Sequence, residues 1–195
     1  SSFHAAQHPH ERWVGTPRMS ALGRHLAEGF SIHLQTKVVG IIRQEDGWCI
    51  QAESGASFSG FDVVLLCCPG PQATALLPQE SGLNSRTEQL AYSPCWVTML
   101  RYEEPLPIQF DGLQLEHPVL SWAVRDSSKP GRSPGERWVI QASPAWSAAH
   151  IEASSEDVAR HVIEEWSKIA PGHPMDVSTH RWRYSLAVET QGALA

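Results

Sequence analysis

Hydrophobic and polar positions change period several times along this 195-residue chain, and the changes mark its elements. Thr16-Pro17 reads as an N-cap and first helical residue, with Met19, Leu22 and Leu26 on one face and Gly29 as the stop, predicting a helix over about 17–28. Short β-rich runs follow from Ser31 to Gly60: Ile32 and Leu34, then Val38 to Ile42, then Trp48 to Ala52. Asp46-Gly47 between the last two is a hairpin signal. Phe61-Asp-Val-Val-Leu-Leu-Cys-Cys-Pro-Gly-Pro-Gln72 shows no alternation from Val63 to Cys68, which predicts a strand at 62–68 covered on both faces, as parallel strands are. In open α/β sheets ligands sit beyond the C-terminal ends of such strands, so Pro69-Gly70-Pro71-Gln72 is a candidate site wall. A core strand ending in an ordinary turn is the plainer reading of the same residues. Gln72 to Leu77 reads as a short helix, and Pro78 to Arg86 as a polar connection.

Beyond it, Trp96 to Tyr102, Val119 to Val124 and Trp138 to Ala142 have strand character and are expected to pair antiparallel. Between the last two runs a charged loop, Arg125 to Arg137, with two prolines and two glycines; loops of that length in compact domains are usually functional or mobile. Ser154 caps a helix whose Val158, Val162, Ile163, Trp166 and Ile169 form one core-facing stripe, ended by Pro171-Gly172. A last strand, about Val177 to Tyr184, carries His180-Arg-Trp-Arg-Tyr184. The expected division is a lead-in at 1–12, a first domain at 13–82 and a second at 83–195.

Composition narrows the function classes. Lys plus Arg is 15 against 21 for Asp plus Glu, a balance that argues against nucleic acid as the main partner. No apolar stretch approaches the ~20 residues of a membrane span, and no signal-peptide pattern opens the chain. Cys49, Cys67, Cys68 and Cys95 lack C-x-x-C spacing and read as reduced core thiols of a cytoplasmic protein. His4, His8 and His10 surround Pro9 without a carboxylate or thiol spaced with them, so no metal is expected. Opening at Ser1 and closing on Gly192-Ala-Leu-Ala195, the chain reads as an excised piece of something longer.

G-x-G-x-x-G, P-loop, H-E-x-x-H and G-x-S-x-G signatures are absent from the sequence; Gly55-Ala-Ser-Phe-Ser-Gly60 has Ser59 where the last Gly of G-x-S-x-G belongs. Hydrolase and phosphotransferase readings therefore find no support. What remains is eight tryptophans and a set of basic residues on the second-domain strands. Trp122, Arg125, Lys129, Arg132, Trp138, Arg181, Trp182, Arg183 and Tyr184 would suit a planar, partly anionic ligand: rings stack, and guanidinium groups pair with phosphate or carboxylate. The plainer alternative is core tryptophans and solvated arginines.

Five segments in order resemble the bacterial renalase-like flavoproteins, FAD-dependent oxidoreductases of the amine-oxidase-like superfamily. They are Trp13-Val-Gly-Thr-Pro-Arg-Met-Ser-Ala-Leu22, Phe61 to Gln72, Ser127-Ser-Lys-Pro-Gly-Arg132, Trp138-Val-Ile140 and His180-Arg-Trp182. The resemblance implies a two-domain α+β and α/β flavoprotein, here part of an FAD-binding Rossmann-like domain plus a mostly antiparallel-sheet substrate domain. It implies FAD as cofactor, hydride transfer from a dihydronicotinamide-type NAD(P)H isomer, and oxygen as acceptor; a small amine is the alternative substrate. It places the backbone of Val38 at the adenine and Cys68, Pro69, Gly70, Pro71 and Gln72 beside the cofactor. Arg125, Asp126, Gln141 and Trp182 become candidate catalytic residues; Trp122, Lys129 and Arg132 become substrate-binding. The family's opening G-x-G-x-x-G strand and closing Gly-Asp segment have no counterpart here, so the chain matches the middle of such a protein and is expected to be inactive alone. Gln141 also stands where His is expected in close relatives. A non-catalytic binding domain without flavin is the alternative of another class.

Overall fold

A computed structural model describes residues 3–5 and 13–188. In chain order its elements are β1 (Phe3–Ala5), α1 (Ser20–Leu26), β2 (Val38–Gln44), β3 (Gly47–Ala52), β4 (Ser57–Phe61), α2 (Gly70–Leu76), α3 (Asn84–Glu88), β5 (Tyr92–Tyr102), β6 (Gly112–Leu115), β7 (Leu120–Arg125), β8 (Glu136–Ala142), α4 (Pro144–Ala149), α5 (Ser155–Ser167) and β9 (Asp176–Ala187). A 3-10 turn spans Asp126–Ser128. The chain divides into two compact units, residues 1–28 with 93–186 and residues 29–92 with 187–195.

The larger unit is built on a sheet of strand order β1-β6-β7-β8-β5-β9 among the described residues. The expected antiparallel pairing holds: β5 runs against β8, and β8 against β7. Alternation decides which residues are covered. On β5, Trp96, Thr98, Leu100 and Tyr102 are buried; on β8, Glu136, Trp138, Ile140 and Ala142 are. Helix α5 supplies the other half of this core through Val158, Val162 and Trp166, all 0% exposed, with the Trp138 and Trp166 rings 5.1 Å apart. Each such side chain contributes about 1.5–3 kcal/mol by leaving water. The Ser154 cap is as expected, its hydroxyl accepting from the Asp157 amide at 3.1 Å, with Glu156 and Asp157 in the favourable first turn.

A β-bulge reverses the alternation inside β7. Leu120 pairs with Ala142 but Trp122 with Gln141, so two steps on β7 match one on β8. The Ser121 hydroxyl marks the extra residue by donating to the Gln141 and Ala142 carbonyls at 3.2 and 3.1 Å. Leu120 and Ala123 both reach the core in consequence, while Trp122 turns to the opposite face with Gln141.

The smaller unit holds the antiparallel meander β2-β3-β4. Its first hairpin loop is Glu45-Asp46, one residue earlier than expected, because Gln44 pairs with Gly47. Gly47 adopts φ +137°, and a Cβ there would lie 2.7 Å from the Phe61 carbonyl oxygen. The third strand is Ser57–Phe61, not 62–68. Residues 62–68 join no ladder among the described residues, and Val63 and Leu65 are 70% and 81% exposed. A strand exists through its partners, and an apolar run specifies burial without supplying them. Ile32 and Leu34 likewise lie in exposed loop instead of strand.

The first helix is shorter than the expected 17–28. Thr16 and Pro17 stand outside it, their peptide bond cis, and Met19 occupies the N-cap without a side-chain cap. Leu22 and Leu26 are exposed, so the apolar face is not buried; Gly29 at φ +85° does follow its end. All four cysteines are unpaired, but only Cys49 is buried and Cys67 is exposed, so the core reading fails for Cys67. No helix of the described residues is long and apolar enough to cross a membrane. Among those residues no cluster of His, Cys, Asp or Glu could hold a metal, and the side chains of His4, His8 and His10 lie outside the description.

Candidate active site

Trp122 and Gln141 face one another across β7 and β8 on the sheet face opposite α5. The same parity puts Val97, Met99 and Arg101 of β5 and Arg137 and Val139 of β8 on that face. Val97 is the other cross-strand neighbour of Gln141. On β9, Arg181 stacks its guanidinium 5.6 Å above the Trp96 ring and donates to the Ile151 carbonyl, which assigns it to the core face. Trp182, its neighbour, therefore belongs to the open face; it is 53% exposed, with the His180 ring edge-on at 4.6 Å. Three of the sequence-derived candidates, Trp122, Gln141 and Trp182, thus share a surface with apolar Met99 and Val139 between the outer strands. Such a surface can stack a planar ring and offer it an amide.

The other candidates are differently placed. Arg125 follows the bulge onto the core side, where its guanidinium lies 5.2 Å above the Trp138 ring, 3.1 Å from Asp111 and 3.4 Å from the buried carboxylate of Glu136. Glu136 also accepts from the Trp138 indole at 2.7 Å. Asp126, in the turn after β7, accepts from Lys129 at 2.8 Å and lies 3.5 Å from Arg132. Burial pushes the Asp126 carboxyl up, but the hydrogen bond and charge of Lys129 and the charge of Arg132 outweigh it and hold the group below its ordinary value. Arg132 also donates to the carbonyls of Gly15 and Pro17, pinning the turn before α1. Arg183 and Arg181 both bind Glu152. Sequence reasoning missed Arg101 and Arg137. Their signal was parity, since Leu100 and Trp138 beside them are the core positions of the same strands.

The smaller unit carries the candidate cofactor wall. Val38 begins β2, an edge strand of the meander, so among the described residues one side of its backbone meets no ladder. Gly70 opens α2 and is buried; a Cβ there would lie 2.6 Å from the Thr87 carbonyl and 2.9 Å from the Leu90 side chain. Its amide donates to the Tyr92 hydroxyl at 2.9 Å. The Gly70 cradle is therefore filled by the protein itself. Pro71 and Gln72 are exposed, as are Val63 and Leu65 in the run before them, while Cys68 and Pro69 are half-buried. An exposed apolar strip beside a Pro-rich turn is chemically suited to the flat ring of a ligand.

The model of one family, flavin containing amine oxidoreductase, matches residues 5–193. The chain belongs to that family. It is 29% identical to mouse renalase over 170 residues, which is 80% of this chain and 49% of the relative. The chain thus spans about half the length of that curated relative. Among solved structures it resembles a putative protoporphyrinogen oxidase from Exiguobacterium, with TM-score 0.69 and 20% identity over 90% of this chain and 41% of the other. It also resembles putrescine oxidase bound to putrescine, with TM-score 0.65 and 14% identity over 89% and 41% of the two chains. At these identities the structural likeness speaks to fold. The fold is that of the amine-oxidase-like flavoproteins, mixed α and β with antiparallel sheets, as the sequence resemblance implied.

Proposed function

We propose that this chain is part of an FAD-dependent oxidoreductase that takes a hydride from a dihydronicotinamide-type ring and passes the electrons to oxygen. The observation that carries the reading is the shared open face of Trp122, Gln141 and Trp182 in a chain of the flavin amine oxidoreductase family. Similarity to renalase supports the renalase-like form of that chemistry. Flavin, when bound, supplies the two-electron acceptor.

The protein's own residues have simpler tasks. Trp122 and Trp182 stack the substrate ring and exclude water from it, and the Gln141 amide orients the ring's polar substituent by hydrogen bonding. No residue of this face needs to abstract a proton, because the departing hydrogen leaves with its electrons. Val38, Cys68, Pro69, Pro71 and Gln72 would hold the cofactor, with Gly70 shaping the turn by packing under Leu90. The relatives are about twice as long as this chain.

The test uses the full-length protein, purified with its flavin. Dihydronicotinamide isomers and a panel of small amines are supplied in turn, with flavin bleaching and peroxide as readouts. Turnover of the dihydronicotinamides supports the reading, and turnover of amines alone replaces the substrate. A protein that takes up no flavin would be a non-catalytic binding domain.

A further inference from the structure

At one corner of the open face the protein gathers more positive charge than it neutralises. A cleft of about 290 Å³ is lined by Met99, Arg101, Asp126, Arg137, Val139 and Asp176 among others. A second, of about 470 Å³, is lined by Arg18, Met19, Asp126, Arg132 and Arg137 among others. Arg137 and Asp126 belong to both. The two carboxylates are already engaged, Asp176 by Arg101 and Asp126 by Lys129 and Arg132. The Arg137 guanidinium donates, among the described residues, to the carbonyls of Ser133 and Pro134, at 2.8 and 3.0 Å. Neither Arg137 nor Arg18 has a carboxylate partner among the described residues. Arg101 and Arg137 are moreover direct cross-strand partners, like charges opposite one another, of which only Arg101 has a carboxylate, Asp176, against it among the described residues. This concentration of cations occurs in a chain of net charge −6, so it is not a by-product of composition.

We propose that Arg137, with Arg18 and Arg101 beside it, is the subsite for the phosphate of a nucleotide substrate. The inference rests on the reading of the open face as the substrate side. Gln141 stands four positions along β8 from Arg137, about 13 Å of strand, so a ring stacked at Trp122 and a phosphate at Arg137 lie along one face. Two unneutralised guanidiniums suit a phosphate, which carries close to two charges and accepts bidentate donors, better than a single carboxylate.

Two measurements separate this subsite from the function proposed above. In flavin-loaded protein, Arg137→Gln is expected to raise KM for a dihydronicotinamide mononucleotide at least tenfold more than it raises the KM of the phosphate-free riboside. Equal changes for the two substrates, or none, overturn the subsite. Calorimetric titration with inorganic pyrophosphate needs no turnover: wild-type protein is expected to bind, and Arg137→Gln and Arg18→Gln each to weaken binding about tenfold. Arg18 is exposed, so its variant reads the cleft even where loss of the Arg137 bonds loosens the 133–134 turn. No binding by wild type, or unchanged affinity in both variants, overturns the subsite. Binding of pyrophosphate by a protein that oxidises no dihydronicotinamide would uphold the subsite and remove the proposed reaction.

Discussion

Arg125 lies 5.2 Å above the ring of Trp138, on the face of the sheet opposite the one that carries Trp122. It stands three positions after Trp122, an odd step that puts the two side chains on opposite sides, and the bulge at Ser121 decides that Arg125 is the one facing the core. The arrangement makes Arg125 the partner of a buried carboxylate, since Glu136 is 6% exposed and has the Trp138 indole as its other neighbour.

Arg125→Ala is therefore expected to act on stability. It strands Glu136 in the core and uncovers Trp138, a loss of about 3–5 kcal/mol for breaking a buried pair, reduced here because Arg125 is 22% exposed. Urea unfolding checks it. A shift within ~0.5 kcal/mol, the range of an ordinary surface change, would contradict the packing account.

Gly70→Ala tests the turn that closes the cofactor wall. The added methyl meets the Thr87 carbonyl at 2.6 Å and the Leu90 side chain at 2.9 and 3.1 Å, and backbone cannot yield as a side chain can. Overpacking of this kind costs about 1–3 kcal/mol. Thermal unfolding should register it as a lower Tm; an unchanged Tm would mean that α2 and α3 separate freely.

The Asp126 network predicts a pH dependence. Its carboxyl is held below the ordinary value in the folded protein, so on acidification the unfolded chain takes up the proton first. The stabilisation is complete above the ordinary aspartate range and is lost as pH falls through it towards the folded value. Asp126→Asn is expected to flatten that part of the stability curve, and an unaltered acid limb would mean that Lys129 and Arg132 do not stabilise the charge.

Much of the larger unit was legible in the sequence because its signals are local. The Ser154 cap and the spacing of Val158, Val162 and Trp166 specify α5 without reference to the rest of the chain, and alternation from Trp96 to Tyr102 specifies β5. The Ser143-Pro144 pair was an equally local signal for α4, with its hydroxyl accepting from the Trp146 amide, and went unread. What stayed hidden depends on partners. Nothing within Val63 to Cys68 says whether another strand lies beside it, and nothing within Leu120 to Arg125 reveals a bulge at Ser121 that turns Arg125 to the core face and Trp122 away from it. The candidate site was legible as a set of residue types; its division between two faces of the sheet was not.

The proposed function requires the open face to be the substrate side, and Trp182 reports on it most cleanly because it is 53% exposed and its loss leaves the core intact. Rapid mixing of a dihydronicotinamide isomer with flavin-loaded protein, followed at the flavin absorbance, measures the hydride step in one turnover. Trp182→Ala is expected to slow that step about tenfold, the loss of one stacking contact, with unfolding unchanged. Reduction at the wild-type rate would contradict the assignment of this face.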